Sequence, residues 1–460
     1  MGEGTKSMET KEAAGKEPAV GKKSGGFHYG YLIVLSFIMT SFGTLSLSLS
    51  CTGIFFPPTA MEFGVAPGIM SYYITIMWVA CIISLPLMGK LVAKRDIRMV
   101  MTVAVIIMAA ALLLQSITQA WWQYLLCGAL TGVGLTVPLF LAPSTVVNRW
   151  FKKRSGFFIG LIMAFTGVGG VVWNAVGGAL LVGIGWRLTL VVFAIIGLVL
   201  SLPFTLFVLR SYPADKGLQP VGSEEDDEAA PAAGADGAVD DEAVAASLPG
   251  MSAAEAFKSP SFILICILAL LLNIGIFIYQ LFASYIATLP IAVAWPTIGS
   301  LVMSVAMAGQ TIGKIALGAA GDKSPLVATL FGVACGIVGL AAMALGGNVA
   351  WILFLAGGVY GICYALPNVM LPILTRAFYG VRDYSIIYSR ISMAASIGGA
   401  CAALIFGTIT ANFGYMPMFV LGIILVAASA AVVIAAVKVG LPAKWETEPE
   451  AEPIQAGEAE

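Results

Sequence analysis

The sequence contains little charge. Only 11% of its 460 residues are Asp, Glu, Lys or Arg, and there is a single histidine. Hydrophobic residues make up 59% of the chain and the mean hydropathy is +0.94. A water-soluble surface cannot accommodate this apolar excess, which excludes a soluble enzyme, a nucleic-acid-binding protein and a secreted disulfide scaffold. The seven cysteines stand singly in apolar stretches, in no spacing typical of a metal site.

Twelve long apolar stretches lie between Tyr29 and Lys438. Each is long enough to cross a bilayer core, which needs about 20 helical residues. The stretches are continuously apolar rather than alternating, so they indicate helices and not barrel strands. We therefore predict an all-α membrane protein with twelve transmembrane helices, at about 29–51, 70–92, 99–119, 122–147, 155–182, 187–209, 261–289, 296–320, 325–345, 349–375, 384–410 and 414–438.

The basic residues are segregated to one side of these spans. Of the 24 Lys and Arg residues, 21 fall in the amino-terminal tail, in the loops after even-numbered spans, or in the carboxy-terminal tail. The positive-inside rule therefore predicts cytoplasmic termini and a location in the cell membrane. Arg187 is the single basic residue in a loop on the opposite side. The remaining two, Lys314 and Arg390, lie within predicted spans.

A polar segment divides the chain into two near-equal parts. Residues from about Ser211 to Ser259 are rich in Asp and Glu amid Ala, Gly and Pro, a composition typical of a disordered linker. Six spans on each side of it indicate an internal duplication. The predicted organisation is a cytoplasmic tail 1–28, a six-helix bundle 29–209, an acidic cytoplasmic linker 210–260, a second six-helix bundle 261–438 and an acidic cytoplasmic tail 439–460.

The two halves carry related short motifs after their second spans. The second half reads Gly318-Ala-Ala-Gly-Asp322-Lys323, and the first runs from Gly89 through Ala93 and Asp96 to Arg98. These segments resemble the loop signature of the major facilitator superfamily, Gly-x-x-x-Asp-(Arg/Lys). The resemblance implies a transporter of two six-helix pseudo-repeats with a gating role for Gly89, Arg98, Gly318, Asp322 and Lys323. Ala93 stands where the family has Asp, and Asp96 is the candidate substitute.

A narrower resemblance spans the fourth and fifth stretches. Trp150-Phe151-Lys152-Lys153-Arg154, followed by Gly160, Ala164 and Gly169, is similar to the monocarboxylate and oxalate/formate transporter branch. The run Arg210-Ser-Tyr-Pro213-Ala-Asp215-Lys216-Gly217 also resembles that branch. Independently of any family, small residues at this spacing let helix backbones approach closely within a bilayer.

Lys314 and Arg390 are the candidate substrate cations. A charge in the bilayer core costs about 2.5–3.5 kcal/mol, and no Asp or Glu lies at comparable depth to neutralise either residue. Two unpaired cations therefore predict an organic anion as substrate, a mono- or dicarboxylate. The resemblance implies the same, because both residues align with carboxylate-binding cations of the oxalate/formate and monocarboxylate branch. The alternative is that both side chains snorkel to the headgroups.

Other polar residues could line the same site. Tyr360 and Tyr364 lie four residues apart on one helical face, where the branch has an aromatic pair that closes over substrate. Further candidates are Gln310, Asn273 and Gln280. Each could instead be an interhelical hydrogen-bonding group.

The sequence thus predicts a secondary transporter of small organic anions that works by alternating access. The resemblance places an Asp of proton-coupled carriers at the position of Gln310, which cannot titrate, so antiport or uniport is expected. The rival is a multidrug or hydrophobic-solute exporter of the same fold; a receptor or scaffold fits the span count alone. No enzymatic activity, cofactor, metal or nucleic acid is expected, and the partners are the substrate and the bilayer around a monomer.

Overall fold

A computed structural model of the chain describes residues 28–151, 155–221, 250–380 and 382–440, and its long elements are all helices. We number the membrane-spanning helices α1 to α12 in chain order. They are α1 Tyr29–Phe63, α2 Tyr72–Lys94, α3 Ile97–Ser116, α4 Trp121–Val147, α5 and α6 within Phe157–Val208, α7 Pro260–Ile286, α8 Ile298–Lys323, α9 Pro325–Leu345, α10 Ala350–Tyr379, α11 Tyr384–Phe413 and α12 Tyr415–Gly440.

A glycine separates α5 from α6. The apolar run Phe157–Val208 is a single helical stretch of 52 residues by hydrogen bonding. At 1.5 Å per residue it would be about 78 Å long, more than twice the thickness of a bilayer core. Gly185 interrupts it with φ 77°, a left-handed backbone that favours glycine. The eleven continuous apolar helices among the described residues therefore give twelve crossings, and the predicted all-α fold of twelve transmembrane helices is confirmed.

Local sequence explains where several helices begin. Asp96 accepts a hydrogen bond from the backbone of Arg98 at the start of α3, and Ser324 caps α9 just before Pro325. The first helix is longer than the predicted 29–51. It continues through π-helical Ser41–Leu45 and 3₁₀-helical Thr52–Phe55 to Phe63, because Pro57 and Pro58 occupy the first turn of its last section, where proline is tolerated.

The helices pack as two groups, α1–α6 and α7–α12. Within the first, α2 packs on α4 and α3 on α6; within the second, α8 packs on α10 and α7 on α11 and α12. Between the groups, α5 packs on α8 and α2 on α11. The Tyr29 hydroxyl at the start of α1 donates to the Val208 carbonyl at the end of α6, 2.6 Å away. We call this side the termini side and the opposite side the far side.

The flanks of the predicted linker are folded, contrary to the expectation of disorder from Ser211 to Ser259. Val221 donates its N–H to the Trp150 carbonyl, and Met251 donates to Tyr379. Ala253–Lys258 forms a short helix, since Ser252 and Glu255 cap it reciprocally. Apolar side chains and a capping box stabilise these flanks as folded structure, although the segment as a whole has a polar composition. The rest of the linker and nearly all of both predicted tails lie outside the described residues.

Candidate functional site

Glycines of α5 bring it into close contact with α8. A methyl group added at Gly167 would lie 2.5 Å from Thr311 Oγ1, and one at Gly170 would lie 2.6 Å from Met307 Cγ. Distances below 3.0 Å are not compatible with ordinary packing. A side chain at either position would force the helices or the facing side chains to shift, so the two glycines allow the helix groups to meet closely, as in other membrane helix contacts built on small residues. We call this contact the α5–α8 seam.

Lys314 lies where this seam ends on the termini side. Its Nζ donates to the Met163 carbonyl of α5 over 3.4 Å, and the residue is half-buried. One turn further along α5, nothing lies within 4 Å of a methyl added at Gly160. The two helices have thus separated by the level of Gly160. In the described part of the chain, no carboxylate oxygen lies within 4.0 Å of Lys314, so none of the described acidic side chains pairs with its charge.

Gln310 lies one helical turn before Lys314 on the same face of α8. It is only 5% exposed, and its side-chain amide forms no hydrogen bond with any of the residues that the structure describes. The amide nitrogen and oxygen of Gln310 are not fully enclosed, so they remain accessible to water or to a ligand. Gln310 and Lys314 therefore supply hydrogen-bond donors to one location.

A second seam joins α2 and α11 on the far side. Ser71 Oγ donates to the Ala403 carbonyl over 3.2 Å, and Thr75 Oγ1 to the Ala400 carbonyl over 2.9 Å. On the termini side of this seam nothing lies within 4 Å of a methyl added at Gly89, near the end of α2. The α2–α11 seam therefore ends part-way along the helices, as the α5–α8 seam does.

The far side is also closed by hydrogen bonds between α1 and α7. Gln280 accepts from the Gly53 N–H at 3.1 Å and donates to the Leu49 carbonyl at 3.3 Å. The neighbouring Tyr279 hydroxyl donates to the Ser50 carbonyl at 3.1 Å. We call these contacts the α1–α7 clasp. In this conformation Gln280, a predicted substrate contact, fastens the two helix groups together.

The remaining predicted polar contacts already have protein partners. The Tyr360 hydroxyl donates to the Gly275 carbonyl at 2.7 Å, and the side chain is fully buried. Asn273 donates to the Ala269 carbonyl of its own helix. Tyr364 is half-buried with its ring 5.0 Å from that of Tyr279. Of these three, Tyr364 alone forms no side-chain hydrogen bond with a residue that the structure describes.

The structure does not bring Arg390 to Lys314. Arg390 lies on an exposed stripe of α11 with the apolar side chains Ile386, Met393, Ile397 and Leu404. Leu404 is level with Ala400 and Ala403, where the α2–α11 seam is closed, so its exposed face points out of the molecule. The stripe therefore faces lipid. The prediction that both cations bind one anion has no contact to support it in this conformation.

The gating motifs differ between the two groups. Asp96 accepts hydrogen bonds from the Arg98 backbone and the Ser211 hydroxyl, both at 3.0 Å, and pairs with Arg98 Nε at 3.6 Å. It thereby ties α3 to the end of α6 inside the first group. In the second group a methyl added at Gly318 would lie 3.9 Å from Val369 Cγ1, an ordinary packing distance. Lys323 is exposed. The side chain of Asp322 lies outside the described part.

Sequence reasoning missed two of the glycines that build the seam, Gly167 and Gly170. It singled out Gly160, Ala164 and Gly169, but a methyl at Gly169 would meet Ser46 Oγ of α1, 2.6 Å away, and not α8. The face toward α8 carries Gly167, Gly170 and, two turns later, Gly178. The spacing of these three glycines was visible in the sequence. The sequence did not show which of the two glycine-bearing faces of α5 meets the second helix group.

Two curated proteins show limited sequence similarity. "Probable transporter MCH2" of Saccharomyces cerevisiae is 29% identical over 150 residues, which cover 32% of this chain and 31% of that protein. The glucose-6-phosphate exchanger SLC37A2 of Xenopus tropicalis is 32% identical over 109 residues, 24% of this chain and 21% of that protein. The chain thus matches less than a third of the length of either relative.

Solved structures share the fold over most of the chain. The nucleoside transporter NupG superposes with a TM-score of 0.66 at 15% identity, covering 90% of this chain and 99% of that one. A bacterial homologue of the human lysosomal transporter Spinster, in an inward-facing and unoccupied conformation, gives 0.60 at 14% identity, covering 90% and 97%. The Major Facilitator Superfamily model matches residues 37–371. The chain is therefore a multi-pass membrane protein that belongs to the major facilitator superfamily.

Proposed function

We propose that the protein transports small organic anions, mono- or dicarboxylates, by alternating access between its two helix groups. The observation that carries this proposal is the position of Lys314. A half-buried cation without a described carboxylate partner lies at the end of the α5–α8 seam, where the groups separate. An anionic substrate would neutralise this charge and offset the cost of placing it in the membrane. Gln310, one turn away, would donate to a second oxygen of the carboxylate.

The proposed transport cycle opens and closes the two sides in turn. With the termini cytoplasmic, the conformation described here faces inward: the α1–α7 clasp closes the far side, and Lys314 is approached from the cytoplasm. Opening the far side would break the bonds of Gln280 to Gly53 and Leu49 while the termini side closes over Gly160. Lys314 lies between these two regions, so a bound anion could be released to either side.

Exchange or uniport fits the titratable groups better than proton symport. A proton relay needs a group that gains and loses charge within the pathway. The predicted spans contain no Asp or Glu at the depth of Lys314, and Gln310 cannot titrate. The relative from Xenopus tropicalis is named as an exchanger of glucose 6-phosphate, also an organic anion. This resemblance supports anion exchange, and it adds organic phosphates to the substrates that deserve a test.

The rival function is export of hydrophobic solutes. The observation that favours it is a cluster of aromatic side chains beside the α1–α7 clasp. The rings of Tyr279 and Tyr364 are 5.0 Å apart, and those of Phe282 and Tyr360 are also 5.0 Å apart. Aromatic faces attract lipophilic cations. An exporter of that kind would not need the Lys314 charge.

Uptake by purified protein in liposomes distinguishes these functions. The vesicles would be loaded with unlabelled compound and offered labelled lactate, oxalate, glucose 6-phosphate or tetraphenylphosphonium in parallel. We expect uptake of a carboxylate that depends on internal carboxylate and is inhibited by other carboxylates. Preference for glucose 6-phosphate would show that the substrate is an organic phosphate rather than a carboxylate. Transport of tetraphenylphosphonium alone would refute the anion proposal. Strong carboxylate accumulation under an inward proton gradient, without internal substrate, would refute exchange.

A further inference from the structure

Arg390 forms one edge of a groove on the lipid-facing surface. The groove has a volume of about 320 Å³ and runs between α7 and α11 near the termini side. Apart from Arg390, the residues that line it are apolar: Phe257, Phe262, Cys266, Met393, Ala394 and Ile397. Arg390 forms no hydrogen bond or ion pair with any residue in the described ranges. An unpaired guanidinium therefore stands at the edge of an apolar groove that faces the membrane.

Arg390 lies close enough to the start of α11 for its guanidinium to reach the level of a lipid phosphate. It is six residues from the start of α11 at Tyr384, or about 9 Å along the axis. A long basic side chain at this depth reaches the headgroup region while its stem stays among acyl chains. The guanidinium can donate two parallel hydrogen bonds to a phosphate, a geometry that this side chain favours.

The short helix Ala253–Lys258 closes the groove at the membrane surface. Its first N–H donates to Asp383 Oδ2 over 2.7 Å, which fixes the helix against the start of α11. Phe257 of this helix packs on Phe262 of α7 with ring centroids 5.0 Å apart, and both rings line the groove. Lys258 follows Phe257 and is exposed. Aromatic rings and basic residues at this level are typical of contacts with lipid headgroups.

We propose that this groove between α7 and α11 binds an anionic glycerophospholipid, with the phosphate on Arg390 and an acyl chain along Cys266, Met393, Ala394 and Ile397. Charge complementarity and the exposed apolar stripe of α11 select this occupant over a soluble anion, which has no acyl chain to fill the apolar part of the groove. The site is separate from Lys314 and does not depend on which substrate the protein carries. Its lipid would stabilise the junction of α7 and α11 in the second helix group.

Titration of the purified protein with lipid tests the proposal. Native mass spectrometry would compare binding of phosphatidylglycerol and phosphatidylcholine in neutral detergent. Arg390→Gln should weaken phosphatidylglycerol binding about 5-fold, the effect of one basic residue near a membrane surface. Phosphatidylcholine binding should fall less, because its quaternary ammonium offsets the charge of the phosphate. Lys438→Gln is the matched control, because it removes the same charge from an exposed end of α12 outside the groove. It should bind phosphatidylglycerol as the unmodified chain does.

A second variant tests the apolar part of the site. Ala394→Trp fills the groove but keeps Arg390, so it should also weaken phosphatidylglycerol binding. Both substituted positions are at least partly exposed, and size-exclusion chromatography would confirm that the variants fold. Equal phosphatidylglycerol binding by Arg390→Gln and the unmodified chain would overturn the proposal. So would unchanged binding by Ala394→Trp, or full displacement of the lipid by millimolar inorganic phosphate, which would indicate a site for free anions.

Discussion

Lys314 and Arg390 are two membrane-embedded cations with different surroundings. Lys314 lies between the two helix groups and contacts a backbone carbonyl of α5. Arg390 lies on an outward stripe of α11 among side chains that face lipid. Both are charges without a described carboxylate partner, so both call for an anion. We therefore propose that the direction of each side chain, rather than its depth, selects its anion: a solute between the groups for Lys314, and a lipid phosphate on the outer surface for Arg390.

The largest effect is expected from removing the Lys314 charge. Lys314→Gln should lower carboxylate uptake by at least about 30-fold, because a desolvated charge contact is typically worth 2 kcal/mol or more. Lys314→Arg keeps the charge and should retain part of the activity. Arg390→Gln is the matched comparison and should keep most of it. Labelled uptake into proteoliposomes measures all three. Equal losses from Lys314→Gln and Arg390→Gln would place both cations in one substrate site.

Breaking the α1–α7 clasp should change the balance between conformations rather than the binding of substrate. Gln280→Leu removes hydrogen bonds to Gly53 and Leu49, each worth about 1 kcal/mol, so far-side opening should increase about 30-fold. Labelling of a cysteine introduced at Ser300, 6% exposed in the far part of the seam, reports this opening. Asn273→Leu is the control, since its amide bonds only to its own helix. Unchanged labelling in Gln280→Leu would show that the clasp does not hold the far side closed.

Overpacking the α5–α8 seam should shift the same equilibrium by about 10-fold. Gly170→Val places a side chain against Met307 Cγ and Ser50 Cβ, which would lie 2.6 and 3.2 Å from its Cβ, and overpacking of this kind costs about 1–3 kcal/mol. The far side should therefore open. Gly183→Val on the same helix is the control, because nothing lies within 4 Å of the added carbon. Labelling of the cysteine introduced at Ser300 measures far-side opening in both variants. Identical labelling of the two would show that close packing at Gly170 does not hold the seam closed.

The smallest effect is expected at Arg187, a cation that does have a carboxylate partner. Its Nη2 lies 2.7 Å from Glu62 Oε1, with both side chains more than a third exposed. Exposed pairs contribute less than about 1 kcal/mol. Arg187→Gln should therefore lower thermal stability slightly and leave uptake within about two-fold. Thermal unfolding in detergent and proteoliposome uptake check this. A loss of uptake comparable to that of Lys314→Gln would mean that a paired charge far from the seam takes part in transport.

Much of the fold could be predicted because bilayer physics acts on the sequence directly. Apolar length and basic loops located the twelve helices, and the break at Gly185 fell between the predicted fifth and sixth spans. The first helix was predicted too short, because Pro57 and Pro58 were not recognised as first-turn prolines. The linker flanks were predicted as disordered, since composition does not reveal that Val221 and Met251 find backbone partners in the helix groups.

The site could be predicted only in part. The lack of an acidic residue at membrane depth singled out Lys314 and Arg390, but helix periodicity does not say which face meets the other group. That choice depends on how α11 packs on α7 and α2. Gln280 was identified as a polar residue in a membrane helix, yet its partners Gly53 and Leu49 are more than 220 positions away in the chain. Such contacts depend on the packing of the whole molecule.

Charge replacement at position 314 shows whether the cation at the end of the seam binds the substrate. Lys314→Cys should lose carboxylate uptake, and 2-aminoethyl methanethiosulfonate would then attach a primary amine of similar length. The neutral methyl methanethiosulfonate adds bulk without charge, and Lys314→Gln treated in the same way controls for reaction at the natural cysteines. We expect that only the amine-bearing reagent restores uptake to Lys314→Cys. Equal uptake after the charged and the neutral reagent would contradict it, because the cation at the end of the seam would then not be what binds the substrate.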